Sequence, residues 1–288
     1  PDTGDVLICD NDNVAHDGEN LGIQGKPRYV APEVVMGRHK PDTFSDRFSL
    51  AVILFLLLFR NHPLAGMRDE DGDDPDGNEL NLYCRNPLFI FDPEDDSNRP
   101  KAGIHVNAPK FWPVFPSYIR QLFQRAFHKD LMRSDGANRE ERIIEREWLK
   151  ALVQLRRDLF FCPACGELTF YPREEDEAVC MNCRQPVERP AILEVLGQQI
   201  PLQPGLRLYR YDIDSTSDLT VENIKEEIGL VVQNQKDSRI WGLKNLSDLP
   251  WYRRSPGGKE ELRRQGEVIP VIRSNSIKFG TLSEGTIR

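Results

Sequence analysis

The chain has 288 residues and a formal net charge of −8, with 29% charged and 39% hydrophobic residues, the balance of an ordinary soluble globular protein of about two or three domains. That acidity argues against a general binder of phosphate backbones, so nucleic acid is an unlikely partner. The longest apolar run, over residues 49–59, falls well short of the roughly 20 residues a membrane span needs, so no membrane attachment is expected.

In chain order, "VLIC" (6–9) reads as a short buried strand followed by the polar run Asp10-Asn11-Asp12-Asn13. The proline-punctuated stretch "GKPRYVAPEVV" (25–35) comes next, stiffened where Pro27 and Pro32 fix φ and remove N–H donors. Thr43-x-x-Asp46 has the spacing of a capping box, and it precedes an apolar-all-round helix over 49–59 expected to be central in its domain. "HPLAG" (62–66) ends that helix. The acidic "RDEDGDDPDGNE" (68–79) is not a calcium loop: counted from Asp69, the sixth position is Asp74 where glycine is needed and the twelfth is Leu80 where glutamate is needed. Tyr118, Leu122, Phe123, Ala126 and Phe127 recur at helical spacing, as do Ile144, Trp148, Leu152, Leu155 and Leu159.

Four of the six cysteines form two C-x-x-C pairs, Cys162/Cys165 and Cys180/Cys183. Two such knuckles can direct four thiolates at one ion, which suits a structural Zn²⁺ with no open catalytic position. Metal-ligating thiols of this kind point to a reducing, cytoplasmic address. The acidic "EEDE" (174–177) between the knuckles turns the ribbon away from nucleic acid and toward a spacer or docking role. Beyond residue 190, β-prone runs ("AILEVL", "GLVVQ", "EVIPVI", "SIKFG") alternate with turn formers, a pattern for a small antiparallel sandwich in which Trp241 and Trp251 pack in the core or at an edge.

The order "VLICDNDN", "GKPRYVAPEVV", "SDRFSLAVILFLLL" resembles the large lobe of bacterial Hanks-type Ser/Thr protein kinases, with a D-x-D version of the Asp-Phe-Gly motif. The resemblance implies that Asp10 holds Mg²⁺ against ATP, that Glu33 of Ala-Pro-Glu pairs with a buried arginine (Arg142, with Arg139 as second choice), and that Asp46 braces the catalytic loop. It also implies protein substrates, a cognate protein phosphatase and a von Willebrand-type domain protein as partners. Lys26 stands where such kinases carry threonine. Residues 11–25 contain no Ser, Thr or Tyr, which excludes activation by phosphorylation there. The sequence contains no G-x-G-x-x-G, no V-A-I-K lysine and no H-R-D loop, and it opens on Pro1. The expectation is therefore a fragment without the ATP-binding lobe, inactive by itself and exposing apolar surface around Leu7 and Ile8. Mg²⁺ and ATP would belong to the complete kinase. The alternative is a pseudokinase scaffold that binds proteins through its ribbon and sandwich.

"PGLRLYRYDI", "WGLKNLSDLPW" and "NSIKFGTLSEGTI" are similar, loosely, to the strands and turns of a forkhead-associated domain, which would make Arg207 and Asn245 the nearest phosphate-binding candidates. No histidine follows His128 to complete that family's pattern. The fold expected is thus α+β and multidomain: a mostly helical kinase large lobe over 1–160, a four-cysteine zinc ribbon over 161–187, and a small antiparallel β-sandwich over 190–288.

Overall fold

A computed structural model of the chain describes residues 16, 17, 19, 25–69, 75–172, 179–216 and 218–288. The strand expected over 6–9, Asp10, and the surface around Leu7 and Ile8 lie outside the described residues. The chain divides into two compact units, one over Pro1–Pro113 and Tyr118–Glu147, the other over Val114–Ser117 and Trp148–Arg288.

The expected fold class, led by a mostly helical kinase large lobe, is corrected by what forms. Among the described residues there are eight α-helices and twelve strands, and the strands make three antiparallel sheets. In the first unit α1 (Pro32–Val35), α3 (Pro75–Leu80) and α4 (Asn107–Phe111) are only four to six residues long. Only α2 (Thr43–Phe59) and α5 (Ser117–Ala126) are longer, before α6 (Glu145–Arg157) crosses into the second unit. The physical reason is proline. Pro63, Pro87, Pro93, Pro100, Pro113 and Pro116 each remove a backbone donor and obstruct the preceding turn, so the apolar segments between them settle as turns and short helices.

The α2 helix begins one residue earlier than the Thr43-x-x-Asp46 pattern suggests. Asp42 is the N-cap: its carboxylate accepts from Ser45 N–H at 3.0 Å while Ser45 Oγ accepts from Asp42 N–H at 2.9 Å. The helix ends where Arg60 turns left-handed (φ 51°) and donates its N–H to Leu56 O. Nor is α2 buried all round. Phe48, Ala51, Val52, Phe55 and Phe59 face the core at helical spacing, while Ile53 is 46% and Leu57 70% exposed. The core is aromatic: Phe55 meets Phe123 and Phe89 edge-on with centroids 5.2 and 5.5 Å away, and Phe91 stacks on Trp112 at 4.3 Å.

In the second unit, β1 (Leu159–Phe161) and β2 (Leu168–Phe170) form a two-stranded hairpin. Leu159, read as the end of a helical stripe, instead opens this strand. The following strands are β3 (Ile192–Val195), β4 (Gln198–Pro201), β5 (Arg207–Tyr209), β6 (Glu227–Gln233), β7 (Trp241–Asn245), β8 (Trp251–Arg254), β9 (Glu260–Arg263), β10 (Val268–Pro270), β11 (Ser276–Phe279) and β12 (Ser283–Ile287). Short helices α7 (Arg210–Ile213) and α8 (Val221–Lys225) lie between β5 and β6. One sheet has the order β10-β7-β6-β5 and the other β4-β3-β12-β11-β8-β9. Alternate residues of both sheets, among them Leu193, Ile228, Leu243, Trp251, Ile277 and Phe279, share one buried core. Trp251 is fully buried, its ring edge-on to Phe279 at 5.0 Å. It sits on β8, yet a Cβ added to Gly229 of β6 would lie 3.0 Å from its ring, so the two sheets touch where glycine leaves room for indole. Among the described residues no helix is long and apolar enough to cross a membrane.

This packing can be tested at its two centres. Phe55→Ala empties the centre of the first unit and is expected to cost about 3–5 kcal/mol in denaturant unfolding. Gly229→Val drives a branched side chain against Trp251. It is expected to destabilise the second unit by about 1–3 kcal/mol and to shift the tryptophan fluorescence, readouts that would stay unchanged if the sheets did not meet there.

Candidate functional site

The metal centre is built by two backbone turns of the same design. In the first, Gly166 N–H donates to Cys162 O at 2.9 Å and Cys162 N–H to Glu167 O at 2.8 Å. In the second, Arg184 N–H donates to Cys180 O at 3.1 Å and Cys180 N–H to Gln185 O at 2.9 Å. The residue after each second cysteine is left-handed, Gly166 at φ 75° and Arg184 at φ 62°. Glycine takes that conformation freely, and arginine adopts it only because the turn is held from both ends.

The four sulfurs lie within 4.8 Å of one another, with Cys162–Cys183 and Cys165–Cys180 both at 3.8 Å. Zinc–thiolate bonds of about 2.3 Å arranged tetrahedrally require sulfurs about 3.8 Å apart. The donor set and spacing therefore fit a structural metal ion, with Cys162, Cys165, Cys180 and Cys183 as its ligands. Charge gives the same answer. Burial raises the Cys180 thiol, but N–H donors from Cys183 and Asn182 and the neighbouring thiols outweigh it and bring Cys180 to about 7. At Cys183 the Gln185 N–H favours the thiolate, yet burial and the other three cysteines push it up to about 11. Four thiolates so close repel one another, and a divalent cation removes that repulsion. Around them Phe160, Tyr171, Val187 and Ile192 form a small buried cluster that also includes Cys162 and Cys180.

In the first unit, Glu33 and Arg142 come together. Glu33 is fully buried and Arg142 is 3% exposed. Their contact is bidentate, Nη1 to Oε1 at 2.7 Å and Nη2 to Oε2 at 2.9 Å. Arg142 also donates from Nε and Nη2 to Leu131 O, at 3.1 and 2.9 Å, and from Nη1 to Phe44 O at 3.1 Å. Every N–H of the guanidinium thus has an oxygen partner. Arg139, the second choice, pairs with Asp42 instead. Burial opposes ionisation of Asp42, but the Ser45 N–H and Arg139 overcome it and hold the carboxyl below its ordinary value.

Asp46 lies on the exposed side of α2 and makes no ion pair among the described residues. Partial desolvation of its carboxylate, together with repulsion from Asp42, Asp17 and Glu145, raises its pKa although the residue as a whole is exposed. Asp10 is outside the described residues. Arg207 is tied to Glu227 across β5 and β6 at 2.7 Å. Asn245 is committed inside the protein, accepting from Ser247 N–H and Oγ–H and donating to Leu249 O at 2.8 Å and to Arg263 O at 3.4 Å.

Sequence reasoning passed over His62, which anchors the proline-rich stretch. Its Nδ1 accepts from Leu64 N–H at 3.1 Å, so Nε2 carries the proton given to Arg28 O at 2.7 Å. Its partner lies 34 residues away, and no local pattern marks the contact.

No protein-family model matches the chain, and no solved structure matches it significantly.

Removing zinc with a strong chelator is expected to unfold the knuckles, and Cys180→Ser to lower the zinc content of purified protein from about one ion per chain to near none. Replacing Glu33 by Gln leaves Arg142 buried without its counter-charge and is expected to cost about 3–5 kcal/mol in urea unfolding. The pKa of His62 is lowered to about 4, chiefly by burial. Between there and about 6.5 the unfolded chain binds a proton that the native one does not, so stability falls as pH drops through that window, by at most about 3 kcal/mol. Melting temperatures from pH 7.5 to 4.5 should show a shallower decline in His62→Asn than in wild type.

Proposed function

We propose that this chain belongs to a bacterial Ser/Thr protein kinase-like signalling protein, one that transfers phosphate from ATP to proteins. The observation that carries the reading is the buried bidentate contact of Glu33, in Ala31-Pro32-Glu33, with Arg142, far along the same unit. It ties a proline-stiffened loop to the end of its scaffold, which suits a loop that must stay in place while a protein substrate docks. In this reading Asp10 is the Mg²⁺ ligand, the four cysteines hold structural Zn²⁺, and the phosphatase and the von Willebrand-type protein named above are its expected partners. Reduced metal-binding thiols agree with a cytoplasmic address.

A second reading, a pseudokinase scaffold that binds proteins, draws support from the all-thiolate metal centre, which leaves no coordination position for chemistry. The two sheets of β3–β12 are consistent with a forkhead-associated-like module. A phosphate-reading role through Arg207 and Asn245 gains no support, since both are committed to partners within the protein.

Labelled ATP separates the two readings. The chain alone is expected to incorporate no phosphate into itself or into a generic protein substrate. The complete gene product is expected to transfer label in the presence of Mg²⁺ and to lose at least about a hundredfold in rate on Asp10→Asn. Transfer that ignores Asp10→Asn would refute the assignment of Asp10, and no transfer by the complete wild-type protein would favour the scaffold.

A further inference from the structure

The four sulfurs of the metal centre are unequally sheltered. Cys162 and Cys180 are 1% and 0% exposed and pack with Phe160, Tyr171, Val187 and Ile192. Cys183 is half-buried, and Cys165 is exposed. Pro163, Ala164, Gly166, Glu167 and Leu168, on either side of Cys165, are exposed as well, so its knuckle stands in solvent. From the other knuckle Asn182, itself exposed, donates from Nδ2 to Cys165 Sγ at 3.8 Å. On its inner side Cys165 Sγ lies 3.8 Å from Cys180 Sγ. The cluster is thus open at one edge, with two thiols in the core, one at the rim and one in water.

Oxidation of a thiolate follows its access to the oxidant, so exposure selects which of the four reacts. A hydroperoxide is an oxidant small enough to reach that edge. Cys165 Sγ attacks one peroxide oxygen, the O–O bond breaks, hydroxide leaves, and Cys165 becomes a sulfenic acid. All four sulfurs lie within 4.8 Å of one another, so a second thiolate is at hand. It attacks the oxidised sulfur and expels a second hydroxide as the S–S bond closes. Two thiolates and one hydrogen peroxide thereby give one disulfide and two hydroxide ions. Two thiolates remain, too few for the tetrahedral set that holds a structural ion. Arg184, next to Cys183, is left-handed at φ 62°, a conformation that arginine leaves readily once its turn is untied.

We infer that Cys165 is an oxidation site through which a hydroperoxide releases the metal ion, making the cysteine segment a redox-sensitive catch. This role requires a metal ion at the four cysteines and nothing of the proposed phosphotransfer. Cys84, fully buried in the first unit, takes no part in it.

The test uses the full chain, purified with zinc under reducing conditions and assayed for metal before oxidant is added. Hydrogen peroxide is then titrated in, zinc release is followed with a colorimetric chelator, and the products are mapped by peptide mass spectrometry. About one equivalent of peroxide is expected to release the ion, and every disulfide formed first is expected to contain Cys165. Cys165→His replaces the exposed thiolate by an imidazole that zinc accepts in a Cys₃His site. It is expected to slow release by about tenfold or more, while Cys162→His, which keeps Cys165, releases at close to the wild-type rate. Should either variant fail to load zinc, brief alkylation of the zinc-loaded wild-type chain with iodoacetamide decides: Cys165 is expected to react about tenfold faster than Cys162 or Cys180. A chain that carries no zinc before peroxide is added would defeat the metal assignment, and this role with it. Zinc that is present and stays bound in excess peroxide, or first reaction at any of the other three cysteines, would overturn the oxidation site alone.

Discussion

Arg142 organises the first unit because a guanidinium can be buried only if all of its donors are met. Two go to one carboxylate, Glu33, and the rest to the carbonyls of Leu131 and Phe44, while Phe48 lies under its face with its ring 5.4 Å away. Those partners come from α1, the start of α2 and the turn at 129–132, segments too short or too rich in proline to hold one another by helix packing alone. Desolvation makes such a pair a poor source of net stability but a strong source of specificity, since any arrangement that separates the two charges leaves one of them buried alone. Satellite contacts add to the clamp. Arg139 reaches Asp42, and Gly136, left-handed at φ 72°, lets its turn pass close to His39 and Glu33 where a Cβ would meet the His39 ring at 2.7 Å.

The second unit solves the same problem differently. Its sheets have enough alternating apolar residues for a continuous core, with Trp251 filling the space that Gly229 vacates. The cysteine segment has little to bury beyond Phe160, Tyr171, Val187 and Ile192, and its backbone is bent into two left-handed turns. Four cysteines placed to hold a metal ion stand where apolar area is short, and a bound ion would supply what that area cannot. Arg157 and Asp212 form a second buried ion pair, and the arginine beside it is left with an edge and no oxygens.

Legibility followed the range of the interactions. The C-x-x-C pairs were readable because each knuckle is a local turn, and the thiol positions follow from a few residues of backbone. The alternating runs after residue 190 were readable as strands for the same reason, since period-two burial is a property of the strand itself. The cap of α2 was missed by one residue: two overlapping patterns, Asp42-x-x-Ser45 and Thr43-x-x-Asp46, compete, and the choice between them rests on where the chain enters the helix. The first unit was expected to be mostly helical, and is not, because apolar spacing was weighed more heavily than the prolines that interrupt it.

What the sequence determined by itself was therefore local: the four cysteines and their spacing, and the strand periodicity; the pairing of Glu33 with Arg142, 109 residues apart, was only suggested by a resemblance and is made by the tertiary structure. Tertiary structure alone decided which side of α2 meets the core, the order of strands in the two sheets, the anchoring of Arg28 by His62, and the pairing of Arg157 with Asp212 across 55 residues. Those depend on groups far apart in the chain being desolvated together, and the free energy of that event belongs to the pair and its surroundings, so neither residue's neighbours in sequence record it.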